Sequence, residues 1–379
     1  METIQRGLDG VIIDTSQICS IDGVKGELIY RGYDIRELAD KASFEEVIYL
    51  LWNGELPTKG ELEAFQTSLK PFFEVPRPVL ELLRHFPADS SPMHALRTAV
   101  SSLAASDPES EGVEHDNIYR IGLKLTAQVI TLTAALERLR EGKEPVEPHP
   151  DLGLAANFLY MTSGEEPTAA AVRVMDVALV LHAEHGSNAS TFVARATAST
   201  LTDMYSAITA AIGSLKGPLH GGANTAVMNM LEEIGSVEAV EGYISAKLGE
   251  PKARIPGFGH RVYRVLDPRA AILEGVSEKL AEESGDSKWF EMSQEMERVM
   301  DREMEGRGKQ VKPNVDFFSA SVYRMLGFPG DMYTPIFTAA RVPGWTAHLL
   351  EQYDDNRLMR PKLSYEGPKG KTFTPIESR

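Results

Sequence analysis

The sequence predicts an all-α protein. From Ile35 onward, apolar residues recur at spacings of three and four, which is the period of a helix with one buried face. Gly and Pro punctuate these periodic segments. The one convincing β signal is a small hairpin around Asp22-Gly23, near the N-terminus. A chain of 379 residues is long enough for two or three domains around a substantial core.

The periodicity predicts a series of helices separated by short connections. The run EGKEPVEPHPD, at 141–151, is expected to be an exposed connection, and the tail from Pro361 an extended arm that either embraces a partner subunit or is frayed. The predicted helices cover residues 43–53, 59–70, 78–86, 94–105, 115–141, 151–162, 168–183, 190–213, 223–233, 236–247, 268–282, 287–305, 313–326, 333–339 and 343–352.

The composition argues against several classes of protein, including those that bind nucleic acid or membranes. The formal net charge of −16 argues against binding to nucleic acid or to an anionic membrane surface, so an anionic ligand would need a local cluster of basic groups. The sequence shows no signal-peptide pattern and no long apolar stretch, which favours a cytoplasmic location. Cys19 is the only cysteine; it excludes an intrachain disulfide and is expected to be half-buried as a small apolar residue.

His220 lies in a Gly-rich turn, GPLHGGAN, between two helical segments. At the N-terminal end of a helix the dipole disfavours an imidazolium, so this His is expected to be neutral and able to donate an N–H to a developing negative charge. The alternative is a capping loop with a structural His.

His260 follows a second Gly-rich turn, in RIPGFGHRVYRVLDPRA. Gly257 and Gly259 expose backbone groups there, and four arginines concentrate positive charge in an otherwise acidic chain: Arg254, Arg261, Arg264 and Arg269. The combination predicts anion binding, although several of these arginines could equally lie on the surface.

Two further segments carry candidate site residues. In LHAEHGSNAST, His182 and His185 could form a metal pair, but no further ligand follows at a familiar spacing, and Ser190 with Asn188 better fits groups that hold a neighbouring His in one tautomer. In PNVDFFS, Asp316 is either a favourable first-turn Asp or a carboxylate made more basic by aromatic neighbours.

Six segments, in this order, resemble the citrate synthase family: LHAEHGSNAST, GPLHGGAN, PGFGHRVYRVLDPR, PNVDFFS, FTAAR and RPK. The N-terminal IDGVKGELIYRGYDIRELA is also similar to that family. The resemblance implies that His220 hydrogen-bonds the thioester oxygen of acetyl-CoA, that Asp316 removes its methyl proton, and that His260 polarises the keto group of oxaloacetate. By the same resemblance, the carboxylates of oxaloacetate are bound by His185, Arg269, Arg341 and, from a partner subunit, Arg360.

The resemblance also implies a citrate synthase-like architecture, with a large helical domain (1–218 and 322–379) and a small one (219–321) that closes over oxaloacetate. It implies CoA contacts from Arg254, Ile255, Pro256, Gly257, Phe258, Gly259 and from Lys309 or Lys312. It implies no cofactor or metal, since acetyl-CoA is a substrate. Because the chain lacks the long N-terminal extension of the hexameric branch, a homodimer is expected.

Two rival functions remain open. One is 2-methylcitrate synthase, which uses propionyl-CoA, since one methylene in an apolar pocket gives only about 1–3 kcal/mol of discrimination. The other is a non-catalytic helical scaffold or metal-binding protein. The presence of Asp316 together with His220 and His260 counts against the scaffold.

Overall fold

The computed structural model describes residues 4–8, 10–251 and 254–379. In this part of the chain, a small antiparallel sheet precedes a large body of helices, which confirms the predicted all-α class. The sheet has three strands rather than two: β1 (Cys19–Asp22), β2 (Glu27–Tyr30) and β3 (Tyr33–Asp34). The predicted hairpin joins β1 to β2, with Cys19 opposite Tyr30.

Sixteen helices follow the sheet within the described residues. They are α1 (Ile35–Lys41), α2 (Phe44–Asn53), α3 (Lys59–Leu69), α4 (Arg77–Arg84), α5 (Pro92–Leu103), α6 (His115–Arg140), α7 (Leu154–Ser163), α8 (Ala169–Ala183), α9 (Ala189–Ala198), α10 (Met204–Leu215), α11 (Ala223–Ile234), α12 (Val240–Leu248), α13 (Pro268–Ser284), α14 (Lys288–Glu305), α15 (Val315–Met325) and α16 (Tyr333–Asp354). Short 3-10 turns lie between some of them.

One predicted helix is two helices in the structure, and one helix was missed. The segment 190–213 is two helices, α9 and α10, because the chain turns at Leu201, which has a positive φ of 63°, and restarts at Asp203. The Asp203 carboxylate caps α10 by accepting from the N–H of Ser206 at 2.8 Å. The sequence analysis also missed α1, which Asp34 caps in the same way.

Conversely, the segments 333–339 and 343–352 form one helix, α16, with Pro343 inside it. A proline in a helix interior normally costs about 3 kcal/mol. Here α16 packs against α2, α6, α8, α9 and α10, and the side-chain N–H of Trp52 donates to the carbonyl of Pro343 at 2.8 Å. Burial of this helix among the helices around it therefore overrides the local stop signal.

Gly344 lies beside Pro343 at a close approach between α16 and α8. A Cβ atom at this position would lie only 2.0 Å from the carbonyl oxygen of Ala183. Only glycine allows this approach, which brings α16 against the end of α8, where the HAEH segment begins.

The predicted exposed segments agree with the structure. Residues 141–153 form a mainly exposed connection without regular secondary structure, and the chain after α16 is extended and largely exposed apart from a short 3-10 turn at Ile376–Ser378. Cys19 is half-buried in β1, as expected. Among the described helices, none is both long enough and apolar enough to span a membrane.

Candidate active site

The turn between α10 and α11 carries His220. The N–H of His220 donates to the carbonyl of Gly217 at 2.9 Å, and that of Gly221 to the carbonyl of Leu215 at 2.9 Å. A Cβ on Gly221 would lie 2.7 Å from the side chain of Leu215, so glycine is required for this compact turn. The turn fixes the position of the His220 backbone.

The imidazole of His220 is held through its Nε2 atom. This nitrogen lies 2.8 Å from Ser190 Oγ and 3.3 Å from the backbone nitrogen of Ser190. A backbone N–H can only donate, so Nε2 is the acceptor and the proton of the neutral ring lies on Nδ1. Ser190 Oγ is itself fixed by Asn188 Oδ1 at 2.8 Å and by the indole N–H of Trp345 at 3.2 Å.

Burial, with a contribution from the Arg341 guanidinium, lowers the pKa of His220 to about 4. The sequence analysis expected a neutral imidazole on account of a helix end. The structure gives a different main cause, the removal of the ring from water, for the same protonation state. His220 is thus a neutral donor through Nδ1.

His260 has the opposite tautomer. Its Nδ1 accepts from the backbone N–H groups of Val262 at 3.0 Å and Tyr263 at 3.2 Å, so the proton lies on Nε2. Burial and the positive charge of Arg269 lower the pKa of His260 to about 4, although Asp267 opposes this shift. His260 is therefore also neutral, with Nε2 as its donor.

A pairing between two loops brings the GFG turn against the start of α15. Phe258 forms a β-bridge with Pro313, and the Gly259 N–H donates to the carbonyl of Lys312 at 2.8 Å. Asn314 joins the two loops, because its side-chain amide donates to the carbonyl of Gly259 at 2.9 Å while its Oδ1 accepts from the N–H of Asp316 at 3.0 Å. Asp316 is thereby held in the first turn of α15.

The carboxyl group of Asp316 is unusually basic. Its Oδ1 is buried and has no hydrogen-bond partner among the described residues. Burial raises the pKa of Asp316 to about 7; Asp267 adds to the shift, while Arg269 and Arg341 oppose it. A carboxylate of this basicity, with one oxygen left free, fits a general base at neutral pH.

Two buried arginines form the cationic part of the site. Arg269 is 2 % exposed and donates two hydrogen bonds to Asp267, from Nε to Oδ1 at 3.0 Å and from Nη2 to Oδ2 at 2.7 Å. Arg341 is 1 % exposed; its Nε donates to the carbonyl of His182 at 2.6 Å, and its Nη1 has no partner in the described part of the chain. Buried guanidinium groups of this kind suit the carboxylates of a small dianion.

His185 lies beside this cationic part. Its ring meets that of His260 at a centroid distance of 5.3 Å, and its Nε2 is 3.3 Å from the hydroxyl of Tyr263. Burial is the main cause that lowers the pKa of His185 well below its ordinary value, and the nearby cations Arg269 and Arg341 add to it. The imidazole is accordingly neutral in the absence of an anion.

Phe337 on α16 lies close to both Arg341 and His220. The Arg341 guanidinium lies 4.8 Å from the centre of this ring, and the ring of His220 lies 6.3 Å from it. The structure therefore brings His220, His260, His185, Arg269, Arg341 and Asp316 into one buried region through direct contacts or through their electrostatic influence on one another.

Most of the remaining predicted residues are exposed or are held by other contacts. Arg360, Arg254 and Lys309 are exposed, whereas Lys312 forms an ion pair with Asp301 at 2.6 Å. In the segment 254–259, Ile255 is buried and the ring of Phe258 packs on Phe317 at 4.6 Å. Gly257 has a φ of 79°, and a Cβ there would lie 2.8 Å from the side chains of Phe317 and Val227.

The metal alternative finds no support in the contacts of His182. This residue is fully buried, and its Nδ1 donates to the carbonyl of Ala178 at 2.7 Å inside α8. Burial lowers the pKa of His182 to about 3. In residues 4–8, 10–251 and 254–379, no three His, Cys, Asp or Glu side chains are grouped as metal ligands would be.

The sequence analysis missed three residues that shape the site. Asp267 holds Arg269, Tyr263 contacts both His185 and His260, and Trp345 donates to Ser190. Asp267 had a local signal, because an Asp immediately before a Pro is a typical helix N-cap. The sequence carries no local signal for Tyr263 or Trp345, because their contacts are with residues distant in sequence or form only in the folded loop.

Comparisons with known proteins agree on one family. A family model described as "Citrate synthase, C-terminal domain" matches residues 7–362. Citrate synthase 2 of Bacillus subtilis (strain 168) is 51 % identical to this chain, with 100 % of both chains covered. The citrate synthase of Haloferax volcanii is 49 % identical, with 99 % of each covered. 2-Methylcitrate synthase 1 of Corynebacterium glutamicum is 41 % identical over 99 % of this chain and 98 % of its own.

A solved structure of a citrate synthase has a fold similar to that of this chain. The citrate synthase of the thermophilic archaeon Thermoplasma acidophilum, determined as a ternary complex with carboxymethyl coenzyme A and oxaloacetate, is similar to this chain with a TM-score of 0.93. The two are 34 % identical, and the match covers 100 % of both chains.

Proposed function

The chain belongs to the citrate synthase family, and from this premise we propose that Asp316, His220 and His260 carry out its chemistry. The enzyme is an acyltransferase that condenses acetyl-CoA with oxaloacetate and water to give citrate and CoA. This assignment rests mainly on the protonation states of the three groups. Asp316 has a basic carboxyl group with a free buried oxygen, whereas His220 and His260 are neutral imidazoles held in opposite tautomers.

Asp316 begins the reaction by removing a proton from the methyl group of acetyl-CoA. The methyl proton of a thioester is far less acidic than a carboxylic acid, so the negative charge that develops on the thioester oxygen has to be stabilised in the same step. The Nδ1–H of His220 supplies that hydrogen bond. Because the His220 imidazole is neutral beforehand, its donor is available at neutral pH without losing a proton to solvent.

His260 acts on the second substrate. Its Nε2–H donates to the keto oxygen of oxaloacetate, which makes the keto carbon more electrophilic. Once the new carbon–carbon bond has formed, the alkoxide takes this proton while Nε2 is reprotonated from solvent, so that the imidazole returns to its neutral state. His185, Arg269 and Arg341 bind the two carboxylates and hold the keto carbon in line with the incoming carbon. Hydrolysis of citryl-CoA then releases citrate and CoA.

The domain arrangement remains a proposal: a large domain of 1–218 and 322–379, and a small domain that begins at 219. It is supported by packing, since α13 and α11 pack on α15, and α12 packs on α14. Because α15 continues to Met325, the second border lies more naturally at the end of that helix than at 321. The first border falls in the turn of His220, so closure would move the small domain about this turn.

CoA would then lie along the segment 254–259. Arg254 and Lys309 are exposed and could meet its phosphates, whereas Lys312 would first have to leave Asp301. Phe258 lies directly beside the helix that carries Asp316, so this segment is near the place where the thioester must react. No cofactor is needed for this chemistry, because acetyl-CoA is consumed as a substrate. A cytoplasmic location stays a prediction.

The choice of acyl group is tested by comparing kcat/KM for acetyl-CoA and propionyl-CoA, with release of the CoA thiol in the presence of oxaloacetate as the readout. We expect acetyl-CoA to be preferred by about tenfold or more, within the range that one methylene allows. A preference for propionyl-CoA would instead assign 2-methylcitrate synthase activity.

We further propose a homodimer in which Arg360 completes the oxaloacetate site of the partner subunit. In a single chain Arg360 is exposed, and the tail that follows it exposes large apolar side chains to water, including Leu363 at 98 % and Phe373 at 79 %. Apolar side chains along an extended arm are stabilised when a second subunit covers them.

Mixing two inactive variants tests this arrangement. Arg360→Ala and Asp316→Asn chains, refolded together in equal amounts, should regain about a quarter of the wild-type activity, because half of the dimers are mixed and each has one intact site. Each variant refolded alone is the control. Absence of any recovery in verified mixed dimers would place Arg360 and Asp316 in the same subunit's site, whereas full activity of Arg360→Ala refolded alone would remove Arg360 from the site.

The raised pKa of Asp316 predicts the pH dependence of the reaction. The base works only as a carboxylate, so kcat/KM should fall about tenfold per pH unit below about 7 and level off above it. His220 and His260 are already neutral at pH 6, because their pKa values are about 4, and they should add no further change between pH 6 and 9. A profile that is flat from pH 5 to 9 would contradict the role of Asp316.

A further inference from the structure

We propose that Tyr263 is a positioning residue of the oxaloacetate site, one whose hydroxyl holds the imidazole of His185 while its backbone fixes the tautomer of His260. This inference rests on the proposed function for its substrate. The two histidines are 75 residues apart in sequence, and Tyr263 contacts both of them.

The contact with His260 is made by the backbone and the ring. The N–H of Tyr263 donates to His260 Nδ1 at 3.2 Å, and the two rings lie 4.8 Å apart at an angle of 44°. The contact with His185 is made by the hydroxyl, 3.3 Å from Nε2, with the rings 5.6 Å apart. Tyr263 therefore supports one histidine through its main chain and the other through its side chain.

The position of Tyr263 is itself rigid, because its two neighbours are held by the turn between β1 and β2. The N–H of Arg264 donates to the carbonyl of Gly23 at 2.8 Å. On the other side, a Cβ on Gly23 would lie 2.2 Å from the carbonyl oxygen of Val262, so the two backbones are in close contact. The N-terminal sheet thus has a role in the site, as a support for this loop.

A hydrogen bond to His185 matters for oxaloacetate because a neutral imidazole has a single N–H. His185 can donate that hydrogen to a carboxylate only if the ring is turned correctly and the proton is on the right nitrogen. Tyr263 is 4 % exposed, and burial raises the pKa of its hydroxyl, which therefore keeps its proton and remains available to the imidazole. Without this partner the ring of His185 would be less ordered before oxaloacetate binds.

The test is Tyr263→Phe, which removes the hydroxyl and keeps the ring, its packing and the backbone donor to His260. We expect the KM for oxaloacetate to rise about 3- to 10-fold, as for the loss of one buried hydrogen bond, while kcat and the KM for acetyl-CoA stay within about twofold of the wild type. In a His185→Ala background, Tyr263→Phe should have almost no additional effect on the KM for oxaloacetate.

Tyr353→Phe is the matched control, because the hydroxyl of Tyr353 donates instead to the carbonyl of Thr202 at 2.6 Å. Both single variants should melt within about 4 °C of one another. The proposal is overturned if the two variants have equal KM values for oxaloacetate. It is also overturned if Tyr263→Phe raises this KM as much in the His185→Ala background as in the wild type, or if the Tyr263→Phe protein fails to fold. If the wild type releases no CoA with oxaloacetate, the proposed function fails instead.

Discussion

Replacing Asp316 by Asn is expected to lower kcat by about 10²- to 10⁴-fold, which is the usual contribution of a general base. Asn has nearly the same shape but cannot accept the methyl proton of acetyl-CoA. In the proposed mechanism other side chains bind oxaloacetate, so the dissociation constant for oxaloacetate should remain within about threefold of the wild-type value. Steady-state release of CoA and direct titration with oxaloacetate measure the two quantities separately.

The same substitution distinguishes a catalytic role from that of a favourable first-turn residue. Asp116, which lies exposed in the first turn of α6, supplies the matched control Asp116→Asn. A helix-dipole role would give both variants a similar small loss of stability. Burial raises the pKa of Asp316 in the folded state, so the ionised carboxylate destabilises the fold as the pH rises toward 8. At pH 8, Asp316→Asn should therefore be no less stable than the wild type. Near-normal kcat in Asp316→Asn would remove this residue from the mechanism.

Removing Arg269 is expected to have the second largest effect, on oxaloacetate rather than on the chemical step. Its guanidinium is almost fully buried, and loss of a buried charged partner costs about 2–5 kcal/mol of binding, or roughly 30- to several thousand-fold. Arg269→Ala should raise the KM for oxaloacetate by about that factor. The exposed Arg264, in the same loop, gives the control Arg264→Ala, which should bind oxaloacetate normally.

Arg269→Ala also leaves Asp267 buried without its cation, which destabilises a fold by about 3–5 kcal/mol. The double variant Arg269→Ala with Asp267→Asn separates the two effects, because Asn can still cap α13 but carries no charge. Thermal stability should largely return in the double variant while the binding defect persists. Recovery of oxaloacetate binding together with stability would show that Arg269 is a structural ion pair only.

The sequence indicated the main candidate residues because each lies in a segment with a strong local signal. Gly-rich turns ahead of helices marked His220 and His260, and Pro313 with Asn314 marked the helix start that carries Asp316. The cause of the protonation states could not be predicted in the same way. Burial depends on the whole surroundings of a side chain, and it dominates the pKa of all three groups.

Where sequence reasoning failed, either packing between distant elements or an unrecognised local turn decided the structure. Pro343 indicated a break, yet the surrounding helices keep α16 continuous through it. The periodicity of 190–213 indicated one helix, yet the turn at Leu201 divides it. Tyr263 was missed for a similar reason, since its contact with His185 exists only after the loop has folded against the turn at Gly23.

The fixed tautomers of His220 and His260 support the proposal that one site acts on both substrates at once. His220 and His260 present donors from different nitrogens, and in each case the other nitrogen is occupied by a backbone N–H: that of Ser190 or those of Val262 and Tyr263. Backbone donors cannot reverse their direction, so the two imidazoles need no proton rearrangement before reaction. This arrangement suits the two oxyanions that develop in the proposed mechanism.

The central claim, that this site joins the methyl carbon of acetyl-CoA to the keto carbon of oxaloacetate, is tested most directly by following that carbon. The purified protein is incubated with oxaloacetate and acetyl-CoA labelled with ¹³C in the methyl group, and the products are identified by mass spectrometry. We predict that the label enters citrate, with one CoA thiol released per labelled citrate and almost no labelled acetate. Labelled acetate as the main product, or no release of CoA at all, would contradict the claim.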